Sequence, residues 1–419
     1  MNVLLLSQHF WPESFRVTQV ALDLQKQGHH VTVLTGQPNY PEGRVFAGYK
    51  ATGMAFETHE GLQVCRVPLV PRGEKSAVRL AANYLSFIAS ASVFGAWMLR
   101  GRRFDVVFVY GTSPILQAIA AILLARLKRC AVVTWVQDLW PQSLEVTGYV
   151  QNRRALATVE RIVRWIYARN DLLLVQSHGF EQPVRALSPP SVDVRFHPNP
   201  GDETAQEGGE PAWRMPEGFN IVFAGNLGTV QALDVILDSA ALLRQDASDI
   251  RIVLVGSGQR DDWLQAQIRD RRLDNVLLAG RFPAVVMPGI LAQADGLLVT
   301  LQRDSTMELT IPSKVQSYLA AGRPIIASLD GDGARTVADS GAGFVCPAGD
   351  PQMLAAAIGR LRATAPDERH RMGEAGRRFF QDHFEPGRLA VALSAHFRAA
   401  IAARAKRMGD NRELDQNAS

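Results

Sequence analysis

Val3-Leu4-Leu5-Leu6 is a wholly apolar run, Ser7-Gln8-His9-Phe10-Trp11-Pro12-Glu13-Ser14-Phe15-Arg16 is a polar and aromatic loop, and Thr18 to Gln27 carries apolar residues at helical spacing. A short apolar run reads as a strand buried on both faces. A strand that leads through a loop into an amphipathic helix is half of a parallel crossover unit. Outward from this stretch the alternation repeats. Strands are expected at Val31 to Thr35, Val64 to Val67, Val106 to Val109, Ala131 to Val136, Leu172 to Gln176 and Val194 to Phe196, with helices at Leu80 to Leu99, Ser113 to Arg126 and Arg153 to Arg169.

From Gly201 to Gly218 the chain turns acidic and rich in Gly, Pro and Glu, which reads as a linker. A second set follows. Strands are expected at Ile221 to Ala224, Ile252 to Val255, Val276 to Leu278, Leu297 to Thr300 and Ile325 to Ala327, and helices at Ala232 to Leu243, Asp262 to Arg271 and Lys314 to Ala321. Two α/β units of similar size result, residues 1–200 and 219–385.

The length of 419 residues admits two to three domains, and 47% hydrophobic with 21% charged residues excludes a disordered chain. Cys65, Cys130 and Cys346 are odd in number and far apart, so neither a disulfide framework nor a Cys-x-x-Cys metal site is expected and a reducing compartment fits. The first residues enter a strand without a basic leader, which argues for a cytoplasmic chain. The net charge of +4 hides an asymmetry. Residues 1–200 hold 21 Lys and Arg against 13 Asp and Glu, while residues 201–419 hold 24 against 28. The basic half suits anionic lipid or a phosphorylated acceptor, and no nucleic-acid motif accompanies it.

Leu80 to Leu99 has no charged residue, which meets the length of a membrane span, yet Asn83, Ser86, Ser90 and Ser92 dilute it and it lies between strands of one sheet. A buried or membrane-surface helix is expected. Arg79, Arg100, Arg102 and Arg103 flank it, and Arg153 to Arg169 adds Arg154, Arg161, Arg164, Trp165 and Tyr167. This composition fits peripheral attachment to a membrane as well as a solvated amphipathic helix.

Ligands of open parallel sheets sit outside the carboxyl ends of the strands. The informative residues are therefore those just after strands. His9, Glu13, Phe15 and Arg16 follow the first strand, Asn39 and Tyr40 the second, and Asp138 with Trp140 the fifth. Asp138 is a candidate general base for a hydroxyl, or else a helix cap. In the second half Gly225-Asn226-Leu227-Gly228 and Gly256-Ser257-Gly258 are turns where backbone approaches a phosphate. Neither completes Gly-x-Gly-x-x-Gly, because Asp261 stands at the last position, so a nicotinamide enzyme is disfavoured. Thr310-Ile311-Pro312-Ser313-Lys314 opens a helix with proline, hydroxyl and ammonium together, an anion site by charge and dipole.

At these residues the chain resembles a glycosyltransferase of family 4, above all the transferases of bacterial O-antigen and capsule assembly that add N-acetyl-L-fucosamine, and more loosely those of colanic acid. The carrying segments are Ser7 to Glu13, Gly36 to Gly43, Val67 to Arg72, Asn83 to Phe87, Trp135 to Pro141, Gly225 to Gly228 and Pro312 to Lys314, within a likeness that extends to about Phe384. The resemblance implies a GT-B fold, two Rossmann-like doubly wound parallel-sheet domains facing a cleft. It implies a UDP-sugar donor on the second domain, at Gly225, Asn226, Gly228, Gly256, Gly258, Arg281, Pro312, Ser313 and Lys314. The acceptor, an undecaprenyl-diphosphate-linked saccharide, is implied on the first, at Phe15, Arg16, Asn39, Tyr40 and Trp140, with His9, Glu13 and Asp138 as catalytic candidates. No cofactor and no Asp-x-Asp metal site is implied, the UDP-sugar being a substrate. A final helix within 386–419, near Arg388 to Ala405, would cross back to the first domain before a polar tail.

The chain departs from the wider family. The Arg and Lys that hold the donor diphosphate fall at Asn226 and Gln231, the Glu-x7-Glu motif would end at Ser317 while Glu308 misses the spacing, and the His after the fifth strand falls at Gln137. Lys314, Arg281 and helix amides are left to neutralise the diphosphate. Two other readings stand beside transfer: a UDP-sugar 2-epimerase of the same fold, and a non-catalytic membrane-associated subunit.

Overall fold

The computed structural model describes residues 1–73, 76–146, 152–201, 213–246 and 249–417. The chain divides into two compact units, Met1–Pro198 with Leu389–Ser419, and Asn199–Arg388.

The first unit is built on β1 (Asn2–Leu6), β2 (His30–Gly36), β3 (Ala55–His59), β4 (Leu62–Val67), β5 (Val106–Gly111), β6 (Ala131–Val136), β7 (Leu172–Val175) and β8 (Asp193–Phe196), in the order β3-β4-β2-β1-β5-β6-β7-β8. All neighbours are parallel except β3, which runs antiparallel to β4 at the edge. The second unit carries β9 (Phe219–Ala224), β10 (Ile250–Val255), β11 (Val276–Gly280), β12 (Gly296–Thr300), β13 (Ile325–Ser328) and β14 (Gly343–Cys346), in the order β11-β10-β9-β12-β13-β14, all parallel. This is the doubly wound order 3-2-1-4-5-6. In each sheet the winding reverses beside the first strand, so the loops after β1 and β5, and after β9 and β12, open at the switch point.

The central strands are buried along their whole length, as expected of parallel strands covered on both faces. The first core gathers Val3, Leu5, Phe108 and Trp135. Leu393, Phe397 and Ala400 of the last helix, Pro386–Asn417, join it, so the expected return of the chain to its first unit is present, over a longer helix than Arg388 to Ala405. The polar tail expected beyond it is reduced to residues 418–419, which lie outside the described residues.

Several expectations are corrected. The linker of 201–218 falls mostly on 202–212, outside the described residues, but its end is packed. Trp213 and Met215 lie against the second core, and Gln293 holds both, its Oε1 accepting from Met215 N at 3.2 Å and its Nε2 donating to Trp213 O at 3.1 Å. The expected helix Ser113 to Arg126 begins later, at Ala118, because Pro114 holds the chain extended and a 3-10 turn, Ile115–Gln117, intervenes. The expected helix Leu80 to Leu99 begins earlier, at Ala77, where Ser76 Oγ accepts from Arg79 N at 3.3 Å and caps it.

Candidate functional site

The loop after β1 is organised by one carboxylate. Glu13 is buried, and its Oε1 accepts from Asn39 N at 2.9 Å and Tyr40 N at 2.7 Å while its Oε2 accepts from Phe10 N at 3.2 Å. His9 Nδ1 lies 3.1 Å from both oxygens. With its lone pairs so occupied, Glu13 ties the β1 loop to the β2 loop and fixes one nitrogen of His9, which leaves Nε2 as the histidine's working atom. Phe15 stacks on the His9 ring at 4.9 Å and Tyr40 packs at 5.6 Å. Arg16 sits at the N-cap of the helix Val17–Lys26.

Asn39 is fully buried. Its Nδ2 donates to Gln37 O and its Oδ1 accepts from Arg72 N and Asn83 Nδ2, so the side chain shapes the loop and Tyr40 is the half-exposed neighbour. Trp140 is buried too, its Nε1 donating to Ser113 Oγ at 2.9 Å. The same serine holds Asp138, whose Oδ2 accepts from Ser113 N at 2.9 Å, with the Ser113 hydroxyl a further partner. Burial pushes the Asp138 carboxyl above its ordinary value, against the opposing pull of those bonds.

Arg66, absent from the sequence reading, is wholly buried beneath these loops. It donates to Glu57 at 2.8 Å, to Gly36 O at 3.0 Å and to Trp11 O, and lies over Tyr49. Its partners are scattered in the sequence, so no local signal marks it.

The second unit encloses an open cavity of about 1030 Å³ at the carboxyl ends of β9 and β10. Of the residues named as donor candidates, Gly225, Asn226, Gly256, Gly258, Arg281, Ser313 and Lys314 line it, joined by Ser257, Tyr318 and an apolar wall that includes Phe282, Val285 and Met287. Gly228 and Pro312 stand outside the lining: Gly228 is packed under the Asn226 side chain, and Pro312 N-caps the helix Ser313–Ala321 and packs on Gly333. The glycines are required by close approach. Gly256 has φ 140°, and a Cβ there would lie 1.9 Å from Gly225 O. At Gly225 (φ 139°) a Cβ would meet the Lys314 stem at 2.7 Å.

Lys314 and Arg281 are the cations among the described residues that line the cavity, and Lys314 is the one held within it. Its Nζ donates to Gln231 Oε1 and lies 4.6 Å from the Phe223 ring centroid, and burial lowers its pKa to about 8. Gln231 thus serves as acceptor for the ammonium. Tyr318 OH accepts from Ala224 N at 2.8 Å and fixes the end of β9.

Two doubly wound sheets, with a cationic, glycine-lined cavity at the switch point of one and a buried carboxylate and imidazole at the switch point of the other, define a GT-B glycosyltransferase. The family comparisons agree for each half. Residues 14–200 match the glycosyl transferase 4-like domain and residues 218–364 match the glycosyl transferases group 1 domain. The chain belongs to this glycosyltransferase family and is an enzyme of bacterial surface polysaccharide biosynthesis. It is 27% identical to "Probable glycosyltransferase WbjE" of Pseudomonas aeruginosa over 305 residues, 70% of this chain and 74% of the relative. It is 25% identical to WcaI of Escherichia coli K12, named for colanic acid biosynthesis, over 71% of this chain and 75% of the relative. Among solved structures, Anabaena HepE in complex with UDP superposes with a TM-score of 0.67 at 13% identity, covering 95% of this chain and all of that one. The reaction class is therefore glycosyl transfer, not epimerisation.

Proposed function

We propose that the chain moves N-acetyl-L-fucosamine, or a related N-acetylated deoxyhexose, from a UDP-sugar to an undecaprenyl-diphosphate-linked saccharide at the inner face of the membrane, in O-antigen or capsule assembly. The observation that carries the donor half is the cavity of about 1030 Å³ with Lys314 beside two glycine turns. Its glycine backbone and cation suit a diphosphate, and its apolar wall suits a nucleobase. Bound UDP in the HepE structure supports the same reading.

On the first unit Asp138 takes the proton from the acceptor hydroxyl as the hydroxyl oxygen attacks the anomeric carbon. The bond from that carbon to the diphosphate oxygen breaks, and Lys314 stabilises the departing charge. Burial raises the basicity of Asp138, and Trp140 holds it in place through Ser113. A second reading assigns the proton to His9 Nε2, favoured by the Glu13 carboxylate on Nδ1.

A thermal-shift screen across UDP-, GDP- and dTDP-sugars tests the donor. UDP-sugars should raise the melting temperature selectively and should then support transfer to the lipid-linked acceptor. A protein that no UDP-sugar stabilises would overturn the proposal.

A further inference from the structure

The helix Ala77–Met98 runs 22 residues, and its most apolar 18-residue window has a mean hydropathy of 1.3 with only 22% of it buried. Val78, Leu85, Val93 and Trp97 are exposed by 80%, 62%, 65% and 51%. They are separated by multiples of about one turn. In an unbroken α-helix Trp97 would stand about 100° off the line of Val78. The widened π-helical turn Ala91–Gly95 under-rotates the helix and takes most of that angle back, so the four residues form one stripe. Ser92 Oγ donates to Ile88 O at 2.7 Å inside this turn.

Leu127 of the neighbouring helix Ala118–Lys128, 68% exposed, adds to the apolar surface. Its surroundings carry one sign of charge. Residues 76–104 and 106–137 contain no acidic residue, and Asp105 alone stands between them. Arg79, Arg100, Arg103, Arg126 and Arg129 are exposed at the ends of the two helices, and Arg100 lies 5.2 Å from the Trp97 ring.

We infer that this stripe and its arginines dock the first unit flat on an anionic bilayer, with the apolar residues among the acyl chains and the guanidinium groups on headgroup phosphates. The inference rests on the lipid-linked acceptor of the proposed function and names the surface that brings the enzyme to it. A spanning helix does not fit the opposite face. Asn83 is fully buried there, accepting from Gln8 Nε2 at 2.6 Å and donating to Val70 O at 2.7 Å, and a Cβ at Gly95 would lie 2.8 Å from Leu34. A second copy of the chain would bring arginines against arginines.

The test is flotation of the full chain with vesicles of phosphatidylglycerol and phosphatidylcholine, and with phosphatidylcholine alone, at low and high salt. The chain should float with the anionic vesicles, lose this at high salt, and remain behind with the zwitterionic ones. Trp97→Glu should weaken binding at least about tenfold, and Arg100→Gln about fivefold. Both variants should keep the native melting temperature and UDP affinity, because both side chains are exposed on the first unit and the cavity is lined by residues of the second. Equal binding of wild type and Trp97→Glu would overturn the inference. So would a solution dimer that Trp97→Glu dissociates without any vesicle binding, or retention in cell membranes through an alkaline wash. No substrate enters the assay, so a wrong assignment of donor or acceptor would instead show as vesicle binding without transfer.

Discussion

Lys314 carries a charge that depends on what it faces. Burial lowers its pKa from 10.5 to about 8, so between those values the unfolded chain holds a proton that the native chain has released. Native stability contributed by this group therefore rises with pH through that window. Anion binding needs the protonated form and runs the other way. UDP affinity should be level below about pH 8 and fall roughly tenfold per pH unit above it, and Lys314→Ala should remove the pH dependence at a ten- to hundredfold loss of affinity. Calorimetric titration across pH checks both; a flat profile in the wild type would remove Lys314 from the diphosphate. For Asp138, replacement by Asn should leave UDP affinity intact and lower turnover by roughly 10² to 10⁴, whereas a mere cap would tolerate Asn. Native turnover in Asp138→Asn moves the base to His9. Glu13→Gln loses charge on a buried acceptor with three backbone donors, and should cost about 1.5 to 3 kcal/mol in denaturant unfolding. An unchanged midpoint would contradict its anchoring role.

At the scale of elements, the turns after β9 and β10 interlock through backbone alone. Gly256→Ala would drive a Cβ into Gly225 O, so it should lower both the melting temperature and UDP affinity, while Gly280→Ala, with open space around it, should cost only about 1 to 2 kcal/mol of backbone strain. Comparable behaviour of the two variants would show that the turn tolerates a side chain. These glycine turns were legible in the sequence because strand, glycine and helix follow one another locally. The fully buried strands were legible for the same reason. The edge strand β3 was not: it is short and half-exposed, and Phe56 points to solvent at 60% exposure. The edge strand β14 was missed as well: equally short strands such as β7 and β13 are buried throughout, whereas only Cys346 of Gly343–Cys346 is, so the run lacks their apolar signal. In the site, the residues after strands could be found by position, but the pairing of Lys314 with Gln231 spans 83 residues and the bonds of Arg66 to Gly36 O and Trp11 O span 30 and 55. Contacts of that kind leave no trace in local pattern.

The whole molecule adds a dependence of its beginning on its end. Phe397 is fully buried and packs 5.1 Å from Phe108, with Leu393 and Ala400 beside it in the first core. Phe397→Ala should destabilise the first unit by about 3 to 5 kcal/mol and leave UDP binding by the second unit intact. Loss of the two properties together in a folded protein would show that the units do not behave separately. The order of synthesis gives this packing a further meaning. Strands β1 to β8 leave the ribosome early, yet the apolar slot for Phe397 stays open while the entire second unit is being made. A growing chain in that interval presents a greasy, unfinished surface, the kind of surface that chaperones hold and that neighbouring nascent chains stick to. The enzyme's first half is thus finished last, and a chain terminated prematurely anywhere before residue 393 should be recovered as an aggregate, not as a working half.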